Sequence, residues 1–145
     1  MTLKNTEDTN AVFKIINRQS FSDHDECIEI TTEGKYYIKN GKHYLLYKEY
    51  SDLGEISVMI KAEPDKVSIR RSGACTAVMN YRENIKEEVL YRLPYGNIVF
   101  DLTTNTLDNC LADEGGILRI EYDIALNGEA YGNEIIIEVN TGTED

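Results

Sequence analysis

Between Tyr36 and Val139 apolar residues recur at every second position in short runs, each closed by a turn signal. Such alternation marks strands that bury one face. Ile56, Val58 and Ile60 are in phase, as are Leu118, Ile120, Tyr122 and Ile124, and then Ile135, Ile137 and Val139. Arg119, Glu121, Asp123, Glu134 and Glu138 take the opposite phase, where only Ile136 is apolar. No segment carries an apolar stripe of helical period. Eleven segments read as strand, for a fold of about ten strands: 11–18, 23–32, 36–39, 43–50, 56–62, 67–71, 75–81, 88–93, 97–104, 117–126 and 133–139. Asn40-Gly41 and Asn127-Gly128 are hairpin turns, because both central residues tolerate positive φ. Gly34, Asp52-Leu53-Gly54, Glu63-Pro64-Asp65-Lys66, Pro94-Tyr95-Gly96 and Gly115-Gly116 mark the other turns.

A meander of many short strands must close on itself or pair into two sheets, since open edges invite association. The expected fold is therefore all-β: a single antiparallel up-and-down β-barrel of about eight to ten strands. It should span residues 11–140, after a disordered leader over 1–10 and before a flexible tail over 141–145. Tyr44-Leu45-Leu46-Tyr47-Lys48-Glu49 is followed by Arg71-Ser72-Gly73, Met79-Asn80-Tyr81 and Tyr91-Arg92-Leu93-Pro94-Tyr95-Gly96, with Thr104 and Ile120-Glu121-Tyr122 at fitting distances. In this ordered series the chain resembles the YwiB-like family of small bacterial proteins of unknown function, over roughly residues 35–140. The resemblance implies a calycin-like (lipocalin-type) barrel and supplies no catalytic residue. Where that family usually has threonine before Pro-Tyr-Gly this chain has Leu93, so a hydroxyl there is dispensable. Tryptophan is absent, and with it the Gly-x-Trp signature of true lipocalins.

Strand phase assigns an inward face. It contains Leu45, Tyr47 and Glu49; Ile56, Val58 and Ile60; Val67, Ile69 and Arg71; Ala77, Met79 and Tyr81; Val89, Tyr91 and Leu93; and Ile98, Phe100 and Leu102, besides the two C-terminal runs above. Two charges, Glu49 and Arg71, fall on this apolar phase with four tyrosines, Tyr47, Tyr81, Tyr91 and Tyr122. An arginine fork and amphipathic tyrosines suit a small anionic or amphipathic molecule. The same six residues also suit an internal ion pair that plugs a small barrel.

Charge narrows the partners. The net charge is −11, and residues 101–145 hold eleven acids against one base, Arg119. Such a field repels phosphate backbones and anionic lipid, so neither nucleic acid nor membrane is an expected partner. No apolar run approaches the length that spans a bilayer, and Met1–Asn10 lacks the basic and apolar regions of a signal peptide. Cys27, Cys75 and Cys110 are odd in number and far apart, which points to free thiols and a cytoplasmic protein. The expected oligomeric state is open.

Catalytic templates fit poorly. Asp23-His24-Asp25-Glu26 lacks a second histidine at ligand spacing, and neighbours on a strand would point to opposite faces. Ser72-Gly73-Ala74-Cys75 precedes no helix and makes no nucleophile elbow. Cys75 would need a base such as His43. No catalytic residue, metal site or cofactor is assigned. The leading expectation is a non-enzymatic barrel that binds a small hydrophobic or weakly anionic ligand in its lumen. The alternative is a protein–protein interaction module that uses the barrel wall or the acidic C-terminal surface, and an enzyme ranks last.

Overall fold

The computed structural model describes residues 9–142. Ten strands follow one another: β1 (Ala11–Ser20), β2 (Asp25–Lys39), β3 (Lys42–Ser51), β4 (Gly54–Ala62), β5 (Val67–Gly73), β6 (Ala77–Tyr81), β7 (Lys86–Leu93), β8 (Gly96–Ala112), β9 (Gly115–Leu126) and β10 (Glu129–Asn140). Every ladder is antiparallel, and the sheet runs β6-β5-β4-β3-β2-β1-β10-β9-β8-β7. This is the up-and-down order expected from the alternating pattern. The described residues contain no helix, hence none long and apolar enough to cross a membrane. The expected leader and tail lie outside the described residues except at their inner ends. At the inner end of the N-terminal segment the Asn10 side chain donates to the Tyr36 carbonyl and accepts from the Tyr36 N–H, both at 2.8 Å.

Two joints close the barrel. The terminal strands β1 and β10 pair from Val12 with Asn140 to Ser20 with Gly132. Strand β7 meets the β6 edge through an isolated bridge between Arg92 and Thr76, the residue before β6, whose two main-chain bonds measure 2.8 and 3.0 Å. Side chains reinforce that seam: Asn80 donates to Glu87 at 3.2 Å, and the Thr104 hydroxyl accepts from the Arg82 N–H at 3.2 Å.

The main differences from the expected elements are two long strands. Gly34 is no turn. β2 runs through it, pairing with β1 up to Gly34 and with β3 from Lys35 onward. A methyl group on Gly34 would overlap the Leu46 carbonyl oxygen and the Phe13 ring, so the glycine permits a close crossing. Likewise β8 extends to Ala112 across a register shift between Thr104 and Thr106, changing partner from β7 to β9. The β8–β9 turn is Asp113-Glu114, and Gly115-Gly116 already open β9. Pro94-Tyr95 forms the two-residue turn between β7 and β8, with Leu93 paired to Gly96.

The core is the lumen itself. Phe13, Ile15, Leu45, Ile60, Ile69, Leu102, Leu118, Ile120 and Ile137 are buried there, all on the inward phase of their strands. All three cysteines are free, with Cys75 buried and Cys27 and Cys110 exposed.

Candidate functional site

The turns after β1, β3, β5, β7 and β9 gather at one end of the barrel, and several lumen-facing residues next to them, among them Glu49, Arg71, Leu93, Ile124 and Leu126, are charged or only partly covered. Glu49 lies opposite Ile56, and Arg71 lies opposite Val58, so β4 alone separates the two charges. Their heads meet inside as a fork: Arg71 Nε donates to Glu49 Oε1 at 3.3 Å, and Nη2 to Oε2 at 3.5 Å. Arg71 Nη1 also lies 3.9 Å from Met79 Sδ. The side chains are 17% and 27% exposed, which places the pair below the mouth and short of full burial. Burial works against the arginine's charge, but Glu49 first, then Tyr47 and Tyr91, outweigh it and hold the guanidinium above its ordinary pKa.

Tyr47, Tyr81 and Tyr122 are buried deeper, with the Tyr81 and Tyr122 rings edge-on at 5.0 Å and the Tyr81 hydroxyl 4.0 Å from Met79 Sδ. Tyr91 stands at the mouth, where its hydroxyl accepts from the Cys75 thiol at 3.5 Å. The structure therefore brings all six sequence-derived residues into the lumen, but most of them fill it.

Open space lies beside Tyr91. A cavity of about 410 Å³ opens at this end, lined mainly by Tyr91, Leu93, Phe100, Ile124 and Leu126, with Asn133 on its wall. Ile98, expected to be buried, is 39% exposed at the rim. Of the six residues singled out from the sequence, Tyr91 alone lines this cavity. Sequence reasoning missed Asn133, Gln19, Phe21 and Tyr131. Asn133 was legible, because it shares the inward phase of Ile135 and Ile137 and is buried. Phe21 and Tyr131 carried no signal. They meet at 5.3 Å only because β1 and β10 pair, and Phe21 then stacks on His24 at 4.9 Å.

Asp23 and His24 sit in the turn before β2, so the strand geometry expected for Asp23-His24-Asp25-Glu26 applies only to Asp25 and Glu26. Asp23 Oδ1 and Glu26 Oε2 both reach the ring, at 2.6 and 3.1 Å, and raise its pKa, Asp23 most. His43 is at the opposite end from Cys75, where it bonds the Tyr36 hydroxyl at 2.7 Å, so the two do not form a nucleophile–base pair.

The lumen tyrosines share one electrostatic property. Burial, first among the causes, pushes Tyr36 and Tyr91 up to about 12 and raises Tyr47, Tyr81 and Tyr122 as well. An unfolded tyrosine ionises near pH 10. Below that value both states hold the proton and the contribution to stability is complete. Between about pH 10 and 12 the unfolded chain ionises first, so stability falls as pH rises. We expect tyrosinate absorbance and the loss of β-sheet circular dichroism to rise together in that window. The full tyrosinate absorbance of all ten tyrosines appearing near pH 10 in a barrel that stays folded would contradict the burial of these five rings.

The chain matches a family described as a domain of unknown function, DUF1934, over residues 13–137. It is 31% identical over 104 residues to the uncharacterized beta-barrel protein YwiB of Bacillus subtilis (strain 168), covering 72% of this chain and 73% of that protein. The crystal structure of the ywiB protein from Bacillus subtilis superposes with a TM-score of 0.86 at 26% identity, covering 93% of each chain.

Proposed function

This chain belongs to the DUF1934 family, whose function is unknown, and from that premise we propose that it is a non-enzymatic binding protein holding a small, mainly apolar ligand at the open end of its barrel. The mouth cavity carries this reading: about 410 Å³ of space walled by apolar side chains, with Tyr91, Tyr131, Asn133 and Gln19 as its few polar groups. Ligand pockets have this size and this balance. An apolar ligand fits better than an anionic one, because Glu49 already neutralises Arg71. A calycin-type use of the lumen and a cytoplasmic setting belong to the same proposal.

The acidic C-terminal surface supports an interaction role less well. Two of its acids serve the wall itself: Glu134 pairs with Arg119 at 2.6 Å and Arg18 at 3.2 Å, and Glu121 pairs with Arg119 at 2.8 Å.

The test is native mass spectrometry of protein taken from its host, beside Ile124→Arg, whose long side chain would fill the cavity. We expect the unaltered protein to retain a small molecule that denaturation releases, and the variant to retain none. Apoprotein mass from both, with no enhancement of an apolar fluorescent dye by either, would remove the proposal.

A further inference from the structure

On the opposite flank of the wall, β2 and β3 part company. β2 pairs with β3 only from Lys35 to Lys39, and β3 pairs with β2 only as far as Leu46. Residues 25–34 of β2 keep β1 on one side, and residues 47–51 of β3 keep β4 on one side. Among the described residues, no strand lies between their facing edges. Among the described residues, no main-chain bond from another segment reaches the free edge of residues 25–33. The gap is part of a cleft of about 1000 Å³ that begins at Thr9 and continues over β4 and β5, with Thr31, Thr32 and Glu33 along one side of the gap and Tyr47, Lys48 and Tyr50 along the other.

An open edge of this length is a template for another strand. Its side chains define which strand. On the inward phase it presents Ile28, 62% exposed, and Ile30, 37% exposed. On the outward phase it presents Asp25, Glu29 and Glu33, and no lysine or arginine lies anywhere in residues 25–34. Lys14 reaches Glu29 from β1 at 3.3 Å and His24 reaches Glu26 from the turn, which leaves the edge net acidic. Of the bases at the cleft, Lys48 is paired to Glu55 at 2.7 Å, Lys35 sits at the apex, and Arg70 lies two strands away on β5. A second copy of the same edge is a poor match, since like charges opposed across strands are destabilising.

We infer that residues 25–34 are a docking edge for an extended segment of a partner protein in which apolar residues alternate with lysine or arginine. The partner's main chain continues the sheet from β2. Its apolar side chains cover Ile28 and Ile30, and its bases face Glu29 and Glu33. The four acids of the edge discourage self-pairing and admit a basic strand.

The experiment uses the full chain and a fluorescently labelled peptide of alternating valine and lysine, about ten residues long, enough to span the edge at about 3.3 Å per residue. Fluorescence anisotropy should show saturable binding, and hydrogen exchange should show new protection confined to residues 25–34 and 47–51. A valine–glutamate peptide, and a valine–lysine peptide with prolines replacing alternate valines, should not bind. Glu29→Lys/Glu33→Lys should weaken binding about tenfold or more, as two reversed cross-strand charge pairs imply, with unchanged circular dichroism. Absence of binding would overturn the inference. So would binding that tolerates the prolines, or protection elsewhere on the barrel. Strong protection, in the full chain without peptide, of the alternate amides of residues 25–34 that point away from β1 would also overturn it, because the edge would then be covered by the chain itself or by a second copy.

Discussion

Arg71→Ala should lower the unfolding free energy by about 3 kcal/mol, because it strands the Glu49 carboxylate below the barrel mouth. Removing one partner of a buried ion pair typically costs roughly 3–5 kcal/mol. The residual exposure of both heads, 17% and 27%, puts this pair at the low end of that range. The double variant Glu49→Gln/Arg71→Met removes both charges while keeping similar volumes, and should recover most of the loss. Urea unfolding with an unchanged denaturant slope is the measurement. A loss under about 0.5 kcal/mol for Arg71→Ala would put the pair in the class of solvated surface bridges. The pair would then add nothing to the filling of the lumen below the mouth.

Gly34→Ala should be about as harmful, for a steric reason. The added methyl meets the Leu46 carbonyl oxygen on one side and the Phe13 ring on the other. Phe13 is buried in the core, and the Leu46 carbonyl is main chain next to the last pairing of β3 with β2, so neither can yield cheaply. Overpacking of this kind costs about 1–3 kcal/mol, and a backbone obstacle places it at the upper end. Phe13→Leu on the Gly34→Ala background should restore part of the stability and leave the clash with the carbonyl. Thermal unfolding of the single and double variants checks this. Complete recovery would show that the ring alone, and not the approach of β3, requires glycine.

The contrast between these two positions shows what the sequence could tell. Arg71 and Glu49 were legible because strand period is local: each charge stands in phase with apolar neighbours two residues away, and an ordered meander places their strands one apart. The same logic placed nearly the whole lumen face, from Leu45 to Val139. Gly34 was misread because a glycine between two polar stretches has the same local signature in a turn and at a crossing. Only the packing of Phe13 and β3 distinguishes them. The far half of β8 failed similarly. Asn105-Thr106-Leu107-Asp108-Asn109-Cys110 is too polar to alternate visibly, and the bulge resets its phase. At the site, side-chain identity was readable, but which lumen residues border open space was not. That depends on how far Tyr81, Tyr122 and Phe100 fill the interior, a matter of summed volume across several strands.

The pairing of β1 with β10 governs how the molecule reaches this state. Every other ladder among the described residues joins consecutive strands, so each can grow as a hairpin soon after its two strands collapse. Joining Val12 to Asn140 requires the whole intervening chain to be brought round. Loop closure on that scale is entropically late, and contacts so distant in sequence slow folding. Until it happens the chain is a curling ribbon whose future lumen, with Phe13, Ile15 and Ile137 at its free margins, faces water. The encounter of first and last strands is thus the step at which productive folding competes with association between incomplete barrels.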